Sequence, residues 1–212
     1  MAQRTIHYLF SEMISNQIEV ADKKRFLLGN IMPDAIELCD RDKSHFKVNT
    51  DTHNYFDFEA YRNKYFDLMR QDDLYLGYYM HLVEDSFYRT FIYQDRFTMP
   101  RSQEEVKLLH SDYHILNSYI VRKYNIHNIL KKDIVLKNEP IGNIANYLIS
   151  EFLDEMSNDF IEQREGVTVF LTESMLDEFV ETYISLAIEE VKNLKDGISI
   201  LRTSDYAWLR KR

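Results

Sequence analysis

The stretch Leu76–Ile92 reads LGYYMHLVEDSFYRTFI, and it sets the problem for the whole chain. It is apolar and aromatic almost throughout, long enough for a buried helix, yet His81 and Asp85 sit in its middle. Residues four apart on a helix share a face, so His81 and Asp85 point the same way, with Gly77 one turn earlier. A buried, unpaired carboxylate costs several kcal/mol. Asp85 therefore requires a partner: either a basic side chain, or a metal ion, which accepts imidazole nitrogen and carboxylate oxygen together.

The rest of the chain reads as helices around this one. Of 212 residues, 45% are hydrophobic and 14% aromatic, while glycine (5) and proline (3) are scarce. Such a chain folds around a core, and its poverty in turn-forming residues points to an all-α, single-domain helical bundle. Helical spacing predicts segments at Thr5 to about Gln17 with Thr5 as N-cap, and at Phe56–Met69. A third runs from Asp72 or Asp73 to about Tyr93. The fourth spans Ser102 to about Tyr124, opened by the capping-box sequence SQEE, and the last two are Ile141–Gln163 and Glu173 to about Leu194, with Gly197 as stop signal. Residues 23–50 read as irregular, and GVTVFLT (166–172) reads as a loop. Residues 1–125 form the half that carries the chemistry, and the helices of residues 138–212 complete the core.

Composition excludes several functions. A formal charge of −9 argues against stable nucleic-acid binding, which calls for a basic face. Cys39 is the only cysteine, so no internal disulfide forms. The start MAQRTIHYLF lacks a basic segment followed by an apolar run, and no stretch reaches 18 apolar residues. The expectation is a cytoplasmic protein without a transmembrane segment. There is no glycine-rich phosphate loop and no G-x-S-x-G elbow. The adjacent His-Asp doublet of HD-type phosphohydrolases and the Glu-x-x-His pairs of di-iron bundles are also absent.

Three further residues stand out beside His81 and Asp85: His7 on the first helix, Asp34 in the apolar stretch LLGNIMPDAI, and His45 in DKSHF. In this order, the stretches GNIMPDA, KSHF and GYYMHLVEDSF resemble the G-x-x-x-P-D, S-H-F and G-x-x-x-H-x-x-x-D patterns of the zinc-dependent phospholipase C and single-strand-specific nuclease superfamily, in its bacterial intracellular branch. The resemblance covers about residues 1–125. It implies an all-α fold in which Asp34, His45, His81 and Asp85 hold one zinc ion. Asp85 would bridge to a second ion that His7 helps hold, and Asp34 and Asp85 would serve water activation. The secreted enzymes complete that second site with an N-terminal Trp, which this chain lacks. A third ion would fall on LLHSDYHILNSYI, where the candidates are His110, Asp112 and His114. His110, His114 and Asn117 share a face, whereas Asp112 lies about 200° around the helix from His110, so this stretch departs from the family's H-x-x-x-E/D pattern. The resulting expectation is two zinc ions and metal-dependent hydrolysis of a small or lipid-like phosphoester.

Other conspicuous residues have plainer readings. Asp72, Asp73 and Glu84 read as solvated or capping groups, His53 as a surface residue or a cap, His127 as structural or exposed near a helix end, and the aromatic run from Tyr55 to Phe66 as core. The tail DYAWLRKR either docks on the body or meets a partner. A helical binding protein with a structural or vestigial metal site is the alternative function.

Overall fold

The computed structural model describes residues 2–96, 102–131, 134, 136, 139–162 and 164–209. It is mostly helical. The elements that frame the site are α1 (Arg4–Ser15), α2 (Lys23–Ile31), α3 (Arg41–Ser44), β1 (Lys47–Asn49), β2 (His53–Phe56), α4 (Phe58–Met69) and α5 (Asp73–Tyr88). Beyond them come α6 (Gln103–Tyr124), α7 (Ile149–Ile161), α8 (Glu173–Lys195) and β3 (Trp208–Leu209). No helix among the described residues is long and apolar enough to cross a membrane.

Helix α5 is the central element: every residue from Leu74 to Tyr88 is buried. The Asp72 carboxylate caps it, accepting from the Leu74 amide at 3.0 Å, and the same carboxylate pairs with Arg25. Asp73 accepts from the Asp22 amide at 2.6 Å. The helix ends sooner than its apolar pattern predicts, since the backbone passes at Arg89 into a π-helical segment, Arg89–Arg96.

Two glycines decide how α5 meets α2. A Cβ at Gly77 would lie 2.1 Å from the Phe26 carbonyl oxygen, and one at Gly29 would lie 2.0 Å from the Leu74 carbonyl oxygen. Only the absence of both side chains lets the two backbones touch. This contact brings Asn30 and the chain end after α2 against the middle of α5.

Residues 23–50 are more ordered than their polar, glycine- and proline-containing sequence suggests. Asp22 caps α2 through the Lys24 and Arg25 amides, and Met32–Asp34 forms a tight turn carrying Asp34. Phe46 sits in the left-handed region at φ 48, reversing the chain immediately after His45. A small antiparallel sheet of order β1-β2-β3 follows, with Lys47 paired to Phe56 and Asn54 to Trp208. Its strands are too short to be legible as a periodic pattern. The sheet answers the question of the tail: Trp208 is 7% exposed and packs on Phe56 at 5.0 Å between ring centres. The basic end, Arg210–Arg212, lies outside the described residues, as does Gln163.

The remaining predicted segments appear with shifted ends. Ser102 caps α6 by accepting from the Glu105 amide at 3.2 Å. Gly197, at φ 80, follows the end of α8. The expected start of α7 at Ile141 is a short 3-10 turn, Pro140–Asn143, and the α-helix begins at Ile149. Thr5 is not a cap. It lies buried inside α1 and its hydroxyl pairs with Asn117 Oδ1 at 2.6 Å. Residues 166–169 are irregular, and the aromatic run is core, with Tyr61 stacked on Tyr78 at 4.8 Å.

Candidate metal centre

Four separate elements deliver His7, Asp34, His45, His81 and Asp85 to one place. His7 comes from α1, Asp34 from the turn after α2, His45 from the end of α3, and His81 and Asp85 from the α5 face that Gly77 opens. His7, His81 and Asp85 have no solvent exposure and His45 has 1%. Asp34 alone reaches the rim, with its side chain 10% exposed.

Each imidazole is gripped by its Nδ1. His81 Nδ1 lies 2.6 Å from the Asn30 carbonyl oxygen. His45 Nδ1 lies 2.9 Å from the Arg41 carbonyl oxygen, beside Ser44 Oγ. His7 Nδ1 lies 2.8 Å from Glu84 Oε2. A carbonyl oxygen only accepts, so His81 and His45 each carry a proton on Nδ1, which turns Nε2 towards the centre. Yet these two Nε2 atoms face each other at 3.1 Å. His45 Nε2 is also 3.3 Å from Asp34 Oδ1 and 3.5 Å from Asp85 Oδ2, and His81 Nε2 is 3.8 Å from Asp85 Oδ2. Two imidazole nitrogens and two carboxylate oxygens thus gather around His45 Nε2, an arrangement that calls for protons or a metal cation between them.

The dimensions fit a cation. Tetrahedral zinc with ligands at ~2.0–2.1 Å places neighbouring donor atoms about 3.3–3.4 Å apart, the range these spacings bracket. Asp85 Oδ2 and His7 Nε2 are buried without a hydrogen-bond partner, as ligand atoms are when their ion is subtracted. Among the described residues, His45, His81 and Asp85 form one three-donor group and His7, Asp34 and His81 another. Shared donors of this kind suit one ion or a close pair. The hydrogen bonds on the far side of each imidazole are those that orient metal-binding histidines.

The electrostatics express the same tension. Burial alone would lower the His7 pKa, but the carboxylate of Asp85, 3.4 Å from Nε2, and that of Glu84 raise it to about 10. Burial, reinforced by the charge of His7, holds the His81 pKa well below its ordinary value, so this ring stays neutral. Burial would raise both aspartates, but His45 beside Asp34 and His7 beside Asp85 draw their pKa values below the usual carboxylate range. The Asp85 Oδ1 also accepts from the Ala2 amide at 2.7 Å, and Arg41 Nη2 donates to Asp34 Oδ1 at 2.9 Å.

Glu84 corrects the sequence reading most clearly. It is wholly buried rather than solvated, and burial lifts its pKa to about 7 against the pull of His7 and Asn30. Its Oε1 accepts from Asn30 Nδ2 at 2.9 Å, so one carboxylate ties α1, α2 and α5 together behind the site. The signal was present: Glu84 is three residues from His81 in an apolar helix, on the same face. Asn30 and Arg41 were also missed, because no periodicity marks residues that act through a backbone carbonyl or a loop.

The stretch proposed for a third ion is arranged differently. The Asp112 carboxylate accepts from three backbone amides, those of Val169, Phe170 and Leu171, at 2.9, 2.6 and 3.0 Å. It anchors the loop ahead of α8. His110 and His114 are exposed on α6, His110 lying alongside Tyr113. Among the described residues, none of the three joins a metal-sized group. His53 is exposed and bonds Thr52, and His127 is exposed as well.

Compared with known proteins, the chain matches no family model, no curated protein and no solved structure.

Proposed function

We propose that the protein is a zinc-dependent phosphoester hydrolase related to the phospholipase C and single-strand-specific nuclease superfamily. The observation that carries this reading is the meeting of His45 Nε2 and His81 Nε2 at 3.1 Å with two carboxylates beside them. His45, His81, Asp34 and Asp85 would hold one ion, and His7 with Asp85 would hold a neighbour. Zinc in such a donor set supplies Lewis acidity, which draws the pKa of water towards ~7 and polarises a phosphoryl oxygen.

The chain's own residues divide the remaining work. Asp34, ionised at neutral pH and at the rim, is placed to accept a hydrogen bond, and then the proton, from an incoming water. Arg41, held against Asp34, presents positive charge where a phosphoryl oxygen would arrive. Glu84, Asn30 and Ser44 keep the imidazoles from turning. Asp85, sealed in the core, holds its geometry whatever occupies the mouth.

A second reading, a helical binding protein in which the metal is only a structural staple, draws on the burial of four of the five donor residues. The partial exposure of Asp34, whose side chain is 10% exposed, favours the hydrolase. The test is hydrolysis of p-nitrophenyl phosphate and bis(p-nitrophenyl) phosphate by zinc-loaded protein. Turnover that chelation abolishes, and that Asp34→Asn lowers by about 10²-fold or more, is the expected result. Turnover surviving both changes would overturn the reading.

A further inference from the structure

The five candidate donors all lie between residues 7 and 85, yet the segment that carries Asp34 and His45 is held from the far half of the chain. Directly after Asp34, the Ala35 carbonyl oxygen accepts from the Leu148 amide at 2.7 Å, and Ile36 forms an antiparallel bridge with Tyr147. The Tyr147 hydroxyl meets that of Tyr78 at 2.9 Å. Tyr78 Oη lies 2.5 Å from the Ser44 carbonyl oxygen, which belongs to the peptide unit leading into His45. That carbonyl can only accept, so the Tyr78 proton goes to Ser44 and Tyr147 donates to Tyr78. Burial raises the pKa of both phenols, so both protons stay in place at neutral pH. The Tyr78 ring is fully buried and lies flat on Tyr61, at 4.8 Å and an interplanar angle of 2°, which fixes where its hydroxyl points. Ser44 Oγ in turn donates to the Pro33 carbonyl oxygen at 2.8 Å, so Ser44 ties the residue before Asp34 to the residue before His45.

We propose that Tyr78 is a positioning residue of the candidate metal centre and that Tyr147, donating to it, fixes its hydroxyl. The proposal rests on the metal-centre reading. Tyr78 stands three residues before His81, on a shared face of α5, so one helix supplies two donors and the hydroxyl that places a third. His45 needs such a hold. It follows α3, a helix of four residues, and precedes the left-handed Phe46, and a single turn has little rigidity of its own. A hydrogen bond to the Ser44 carbonyl stops that peptide unit from turning, and with it the direction of His45 Nε2 towards His81. Contacts of this kind, behind the ligands, govern metal affinity. Through Tyr147 the C-terminal half takes part in the centre, beyond completing the core.

The experiment measures zinc affinity by chelator competition, and the visible spectrum with cobalt(II) in place of zinc, for the full chain and the variants Tyr78→Phe, Tyr147→Phe and Tyr79→Phe. The last is the control: it also removes a buried phenol hydroxyl from α5, but one that donates to Glu190 on α8 at 2.7 Å. Expected are a loss of about tenfold in zinc affinity for Tyr78→Phe and about threefold for Tyr147→Phe, each with shifted cobalt bands, and wild-type affinity and bands for Tyr79→Phe. The double variant is expected to lose no more than Tyr78→Phe, because Tyr147 acts through Tyr78. If Tyr78→Phe does not fold, Tyr147→Phe, at a half-buried position, carries the test. Affinity and bands that match wild type in the folded Tyr78 and Tyr147 variants, or a loss equalled by Tyr79→Phe, would overturn the positioning role and leave the metal centre standing. A wild-type chain that binds neither metal would overturn the metal-centre reading and this role with it.

Discussion

His7 Nδ1 lies 2.8 Å from Glu84 Oε2 in the middle of the core, and this contact fixes which nitrogen of His7 faces Asp85. Glu84 is shared with Asn30 on α2, so it orients a candidate ligand and braces two helices at once. Glu84→Gln keeps the shape and removes the charge. Zinc affinity, measured by competition with a chromogenic chelator, is expected to fall about 10- to 100-fold, with the helical circular-dichroism spectrum retained. Unchanged affinity would mean that Glu84 braces helices and nothing more.

The His7 pKa of about 10 predicts opposite pH trends for metal-free and zinc-loaded protein. A folded-state pKa above the ordinary 6.5 gives stability that is complete below 6.5 and lost as pH rises through about 10. Chelated protein should therefore lose thermal stability from pH 6.5 to 9. Zinc must displace the His7 proton, so affinity, and with it the stability that zinc confers, should rise over the same range. At pH 8, where Glu84 is largely ionised, calorimetry in buffers of different ionisation enthalpy should report about one proton released from His7 on zinc uptake. Parallel Tm trends with and without chelator would contradict this account.

The glycine contact between α2 and α5 is expected to tolerate no side chain. Gly77→Ala would drive a methyl to 2.1 Å from the Phe26 carbonyl oxygen. Forcing the helices apart should cost about 3 kcal/mol in denaturant unfolding and weaken zinc binding, because the Asn30 carbonyl would withdraw from His81. A loss below about 1 kcal/mol would show that the helices separate easily.

Asp112 separates a structural carboxylate from a third metal ligand. Asp112→Ala leaves three amides of residues 169–171 without their acceptor. Stability should fall by about 2–3 kcal/mol while zinc content stays the same. Loss of one zinc ion per chain would instead make Asp112 a ligand.

How far the sequence could be read follows from the kind of signal each residue leaves. His81 and Asp85 were visible because polar residues interrupt a long apolar helix, and Asp34 and His45 because they stand in apolar surroundings. Helix α2 was hidden because its first turn is Lys-Lys-Arg and it closes on a glycine and a proline, so its amphipathic signal is weak. The three strands are two to four residues long, below any periodicity. Glu84 was misread because a lone glutamate is usually solvated; only its i+3 relation to His81 gave it away. Asn30 and Arg41 act on the histidines through backbone carbonyls, which leave no trace in residue type.

The central claim is that five side chains converge because a metal holds them together. The most direct measurement is zinc content by elemental analysis of protein purified without an affinity tag, for wild type and Asp85→Asn. The account predicts stoichiometric zinc in wild type, one to two ions per chain, falling sharply in the variant. Wild-type protein that stays metal-free after zinc is supplied would contradict it.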